Sequence, residues 1–185
     1  FGQNSSISIE NAGDINLLSE ADQGYANAFG ILAGGAYEAA VFNSGDINIE
    51  VSANVAEYNY SQSLAFGIYS QAVFSLIENA GDIVITANSG NGTLHANGIS
   101  ADGVWADVQN SGSIVIDAYS ETDQVGVSGI DIVSLYDAVV YNSGDISVSA
   151  ESGSSTAQAF GVHVYSQDGT ISLNNTGSIT ATSES

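Results

Sequence analysis

One position of this chain is occupied six times by aspartate or serine: Asp14, Asp46, Asp82, Ser113, Asp145 and Ser178. Each stands three residues after an asparagine in the motif Asn-small-Gly-Asp/Ser-Ile, at Asn11, Asn43, Asn79, Asn110, Asn142 and Asn175. A column of carboxylates suits a hard cation such as Ca²⁺, which takes oxygen ligands. Carboxylates about 5 Å apart in water repel by only ~1 kcal/mol per neighbour, so the column can also stand without a metal. Each Asp is then expected to accept backbone N–H groups in its own turn. Serine at 113 and 178 favours the turn over the cation, and the Gly-Gly-x-Gly-x-Asp calcium repeat is absent. No cofactor is expected. Any Ca²⁺ or other divalent cation would act through Asp14, Asp46, Asp82 and Asp145 and the acidic surface around them.

A second set is aromatic. Tyr37, Phe74, Trp105 and Tyr136 recur seven residues after a conserved-spacing glycine, and Asp168 breaks the series. Such a stripe could carry sugar rings, but ring-on-ring packing is ordinary in solenoids and is the favoured explanation, and the sequence does not say which way these rings point. Near it lie Asp102, Asp107, Asp131 and Asp137, and two carboxylates at the right separation hydrolyse a glycosidic bond. Acids occur in every repeat, however, so some cluster arises by chance, and no enzyme activity is expected. His95 and His163 occupy unrelated positions and make neither a zinc site nor a triad. His163 shares a column with Leu32, Tyr69, Ser100 and Asp131, which tolerates any side chain and so reads as outward-facing. The Asn-x-Ser/Thr sequences at Asn4, Asn59, Asn91 and Asn174 matter only in a glycosylating pathway, which nothing else in the sequence supports.

Composition excludes more than it suggests. The 185 residues hold 21 Asp plus Glu and no Lys or Arg, a net charge of −21. Acids at 11% are not in excess, so the charge comes from missing bases. Nothing can neutralise phosphates, which excludes nucleic-acid partners and docking to anionic lipid. Arg clamps, Schiff-base lysines and P-loop lysines are excluded too. Without Cys the chain has neither disulfides nor thiolate metal sites, and it suits an oxidising compartment. No apolar run approaches the roughly 18 residues of a membrane helix, and Phe1 at the start reads as a mature or excised piece of a longer secreted protein.

The elements that must position these residues follow from the repeat. The Asn motif recurs at spacings of 32, 36, 31, 32 and 33 residues. A second marker precedes most copies: Ala28-Phe-Gly-Ile31, Ala65-Phe-Gly-Ile68, Ala96-Asn-Gly-Ile99, Val127-Ser-Gly-Ile130 and Ala159-Phe-Gly-Val162, with Phe1-Gly2 a shortened first copy. Within a copy the apolar period is two, as in Ile47 and Ile49 or Ile83 and Ile85, which is the strand signature. Each copy reads as a strand from the Gly-Ile marker, a second ending near the Asn, the Asn-x-Gly turn and a third strand. A variable segment closes it, at 52–64, 88–95, 119–126 and 151–158. Stacked in register, about six such coils form an all-β, single-domain parallel β-solenoid spanning 1–185, with right-handed winding expected from the crossover rule. Its height is roughly 29 Å at ~4.8 Å per coil. The asparagines then form an amide ladder, the glycine two residues later supplies positive φ, and the isoleucines form the core.

Ala-Phe-Gly-Ile followed by Asn-Ser-Gly-Asp-Ile, at about 32 residues per copy over the whole chain, resembles the passenger repeats of Gram-negative autotransporters and related large surface adhesins. The resemblance implies secretion, a cell-surface location and a role in adhesion or as an extended stalk. The absence of Lys and Arg departs from the ordinary family member, and no β-barrel translocator accompanies the repeats.

Together these features predict an extracellular structural or adhesive rod. The alternative is a carbohydrate-binding or polysaccharide-hydrolysing β-helix, with a groove lined by the aromatics and acids of the third and fourth coils. Neither end shows a capping element, so either further coils adjoin or copies stack end to end. Host or matrix glycans and divalent cations are the other expected partners. Spread over the stack, the charge is about −0.7 per Å, comparable with duplex DNA at one charge per ~1.7 Å.

Overall fold

The structure, a computed structural model, describes residues 5–22, 24–53 and 62–185. It is a parallel β-solenoid without helix among the described residues, and every strand pairs with its counterpart one repeat away. One sheet stacks Ile15–Ala21, Ile47–Ala53, Ile83–Ser89, Ile114–Ser120, Ile146–Ser152 and Ile179–Glu184. We call this the third face. The other sheet bends to supply two faces. Its second face stacks Ser6–Asn11, the C-terminal halves of Asn27–Asn43, Gln62–Asn79 and Thr93–Asn110, then Ala138–Asn142 and Ile171–Asn175. Its first face stacks the N-terminal halves of those three long strands with Val125–Ser134 and Ala157–Ser166.

Two details differ from the sequence expectation. The solenoid makes about five turns rather than six, because the first face is represented only five times among the described residues. Three of the coils also run their first two strands together, in single strands of 17, 18 and 18 residues. The reason is that coil-to-coil pairing continues around this corner, as where Ser70, Gln71, Ala72 and Phe74 pair with Ala101, Asp102, Gly103 and Trp105. A corner that keeps its inter-coil bonds need not end a strand. The segment predicted to vary at 52–64 lies mostly outside the described residues, as do Phe1, Gly2, Asn4 and Asn59.

Alternation builds the core. Along Ile83–Ser89 and Ile114–Ser120 every second side chain is buried and every other one exposed. Ile47, Ile83, Ile114 and Ile146 stack as one inward column, Ile68, Ile99 and Ile130 as another, and Ile77, Val108 and Val140 as a third, each at most 1% exposed. Burying each such side chain contributes about 1.5–3 kcal/mol. The marker glycine has a packing reason. A Cβ on Gly67 would sit 2.5 Å from the Gly98 carbonyl oxygen and 2.6 Å from Ile83 Cγ2, so the first face presses directly on the isoleucines of the third.

The glycine of the Asn-x-Gly turn corrects an expectation. Positive φ occurs at Gly24, Gly35 and Gly92, not at Gly45, Gly81, Gly112 or Gly144. Those turns are tight between coils instead. A Cβ on Gly81 would overlap the carbonyl oxygen of Gly45, and one on Gly112 that of Gly81. The residue is required by the closeness of the coil below, which a single turn considered alone does not reveal.

Candidate functional site

The corner between the second and third faces carries a continuous ladder of asparagine side chains. Strand pairing puts the repeat asparagines in register, and burial to 2–3% exposure from Asn43 to Asn142 leaves their amides no water. They satisfy one another. Asn43 Nδ2 donates to Asn79 Oδ1 at 2.7 Å, Asn79 to Asn110 at 2.8 Å and Asn110 to Asn142 at 2.7 Å, with Asn11 and Asn175 extending the ladder at 2.7 Å each. The second amide proton closes the turn, as from Asn79 Nδ2 to Gly81 C=O at 2.7 Å. Both donor positions of each internal Asn are thus consumed.

Outside this ladder stands the Asp/Ser column. Here the expected bonding inside each turn is replaced by bonding between turns. Asp46 Oδ1 accepts from the Asp82 backbone N–H at 2.9 Å, Asp82 from Ser113 at 2.8 Å, and Asp145 from Ser178 at 2.9 Å, with Asp14 and Asp46 at 3.3 Å. Coil stacking brings the next backbone closer than the residue's own turn. The Ser178 backbone and side-chain hydrogen bonds hold the Asp145 carboxyl below the usual range. Among the described residues no group of three or more His, Cys, Asp and Glu is arranged to hold a metal ion.

A groove of about 800 Å³ runs along this corner. It is lined by the residues immediately before and after each Asn, from Glu10 to Thr176. The side after the Asn is small at every coil: Ala12, Ser44, Ala80, Ser111, Ser143 and Thr176. The side before it is taller and varied, including Phe42, Glu78, Gln109 and Tyr141. Sequence reasoning passed over this groove. The available signal was the unbroken run of small residues after the Asn, which marks a concave strip.

The aromatic series forms a ladder on the second face. Phe74 and Trp105 stack at 4.5 Å with 4° between planes, Tyr37 meets Phe74 edge-on at 5.1 Å, and Tyr136 tilts on Trp105 at 5.2 Å. The facing sides of the half-buried Phe74 and Trp105 rings cover one another, so this pair packs as a structural ladder. Beside it lies a smaller groove of about 290 Å³ lined by Phe74, Leu76, Trp105, Asp107, Asp137 and Val139 among others.

The four carboxylates singled out near these rings divide between two faces. Asp107 and Asp137 line the smaller groove, where Asp137 Oδ1 accepts from Thr170 N–H and Oγ1, both at 2.9 Å. Those two bonds hold its pKa below the usual carboxylate value. Asp107 Oδ1 is buried without a hydrogen-bond partner. Asp102 and Asp131 instead sit on the first face. Tyr69 Oη donates to Asp102 at 3.0 Å, while Asp131 lies between His163 Nδ1 at 2.7 Å and Asn97 Nδ2 at 3.3 Å. Burial raises the Asp102 pKa against the opposing Tyr69 bond, and the Asp131 charge raises it further. Burial, with the bond to Asp102 and its charge, pushes the Tyr69 hydroxyl up to about 12. His95 stands apart, and burial lowers its pKa.

No protein-family model, curated protein or solved structure matches this chain.

Proposed function

We propose that this chain is an extracellular structural and adhesive element, a rigid acidic rod displayed at a Gram-negative cell surface, and that it is not an enzyme. The carrying observation is the unbroken axial register. The asparagine ladder and the isoleucine columns repeat coil after coil in one direction, and Asp-to-backbone bonds reinforce them at four of the five coil steps. Bonds and core that repeat along one axis resist bending, which is the mechanical requirement of a stalk. The ladders are also polar: each Asn donates toward the next coil in chain order, so a stacked coil must enter in the same sense.

At the last coil Ile171 and Leu173 are each 50% exposed, whereas their neighbours one coil below are buried. This edge accepts a further coil of the same repeat, from contiguous chain or from a second copy stacked end to end. Sideways, a net charge of −21 keeps rods apart, and divalent cations would bring them together. Electron microscopy over a wide concentration range tests axial stacking. Filaments that lengthen with concentration are expected, and short rods of constant length refute the self-stacking version.

A second reading, carbohydrate binding on the flank of the rod, is favoured by the groove of about 800 Å³ along the asparagine corner. Cavities of about 300–1,000 Å³ with a few polar groups are the usual size of ligand sites. Titration with neutral oligosaccharides tests it, binding supporting the reading and silence across the panel removing it.

A further inference from the structure

We propose that the groove along the asparagine corner binds a linear, uncharged polysaccharide lying parallel to the solenoid axis. The inference rests on the carbohydrate-binding reading above and gives it a location and a ligand class. Shape comes first. The lining recurs at the same two positions of successive coils, so the groove is straight and continuous, and its occupant is extended. Chemistry narrows it. Phe42 and Tyr141 stand three coils apart, about 14 Å, on the tall wall. Between them are Glu78 and Gln109, and opposite are the Ser44, Ser111 and Ser143 hydroxyls, of which Ser44 and Ser111 donate to the Asn11 and Asn79 carbonyls at 3.4 Å and keep their oxygens to accept. Rings spaced along a track, with hydrogen-bonding groups between them, suit a chain whose units combine apolar ring faces with peripheral hydroxyls.

Competing ligands meet specific obstacles. An extended peptide needs free main-chain donors and acceptors for strand addition. The groove floor has already spent them coil to coil, with Ser44 N–H on Asn11 C=O, Ala80 on Asn43, Ser111 on Asn79 and Ser143 on Asn110, each at 2.8 Å. The asparagine amide protons are spent as well. Anionic polymers are opposed by a chain of charge −21 with no Lys or Arg, and by Glu10 and Glu78 within the groove. Recognition must therefore be made by side chains and must tolerate carboxylates, as hydroxyl donors do.

The test is calorimetric titration of the chain with cellohexaose, xylohexaose, mannohexaose and maltohexaose, with hexagalacturonate as the charged comparison. At least one neutral hexasaccharide is expected to bind. Tyr141→Ala, at an exposed position, should weaken it roughly tenfold. Ala80→Trp, which places a ring on the exposed floor, should abolish it, with both variants keeping the wild-type circular dichroism. Trp105→Ala, in the separate smaller groove, should leave affinity unchanged. Silence from every neutral hexasaccharide, or equal binding of hexagalacturonate, overturns the proposal. Binding that survives both groove variants but disappears in Trp105→Ala overturns the location while carbohydrate binding stands. The rod reading is judged separately, by microscopy.

Discussion

Replacing Asn79 by alanine tests whether the amide ladder carries stability or merely decorates the corner. Asn79 is 2% exposed and takes part in three hydrogen bonds: it donates to Gly81 C=O and Asn110 Oδ1, and accepts from Asn43. Alanine removes all three and leaves a donor on Asn43 and acceptors on Asn110 and Gly81 facing a space without water. Each buried group so orphaned costs about 1–3 kcal/mol, which gives roughly 3–6 kcal/mol after partial relaxation. At about 2–4 °C per kcal/mol for a chain of this size, the melting temperature should fall by some 10–20 °C. Asn11→Ala removes the two bonds at the half-buried first rung and should cost only about 1 kcal/mol. Urea unfolding followed by circular dichroism, with Trp105 fluorescence as a second probe in a repeat fold that can unfold in parts, measures both variants. Equal losses for Asn79→Ala and Asn11→Ala, or a loss below 1 kcal/mol for Asn79→Ala, would refute the argument from buried, mutually satisfied amides.

Other outcomes follow from the same stacking. Gly81→Ala should destabilise by more than about 3 kcal/mol, because its methyl overlaps the Gly45 carbonyl, whereas Gly34→Ala, which meets nothing within 4 Å, should stay within about 0.5 kcal/mol in thermal melts. The Asp145 pKa is depressed in the folded state, so its contribution is present above the unfolded value and is lost as pH falls through the folded one. Asp145→Asn should therefore be less stable than wild type at neutral pH and converge with it in strong acid, as read by urea unfolding across pH. The Asp102 pKa is raised, which has the opposite sign: ionisation at neutral pH opposes folding, and Asp102→Asn should be more stable than wild type at pH 7, with the gain vanishing once both forms are neutral. Adding Ca²⁺ or Mg²⁺ at low ionic strength should increase light scattering through lateral bundling and chelator should reverse it; bundles indifferent to chelator would contradict the charge argument.

The solenoid was legible in the sequence because stacking converts sequence position directly into place. Once the period near 32 is seen, residues at one repeat position must share a column, and the columns of Asn, Ile and aromatic rings follow without further information. For the isoleucine columns the inward direction follows as well, since strand side chains alternate, whereas the direction of the aromatic rings beside the bend does not. The missing Lys and Arg likewise belong to composition alone: the chain cannot offer a basic side chain in any conformation. What required the tertiary structure were relations between coils and between faces. Gly81 looks like a residue chosen for its own φ, but its requirement comes from the Gly45 carbonyl one coil below. Asp82 looks like a turn-former and instead accepts from Ser113 of the next coil. Asp102 and Asp107 are five residues apart yet face different sides, because the strand bends between them onto another face. The groove beside the asparagines forms where the strands of one sheet end and those of the other begin, with the same two positions of every coil lining it. Repetition thus encodes the columns locally, residue by residue, while distances across coils and the angles between faces arise only when all the columns pack on one core.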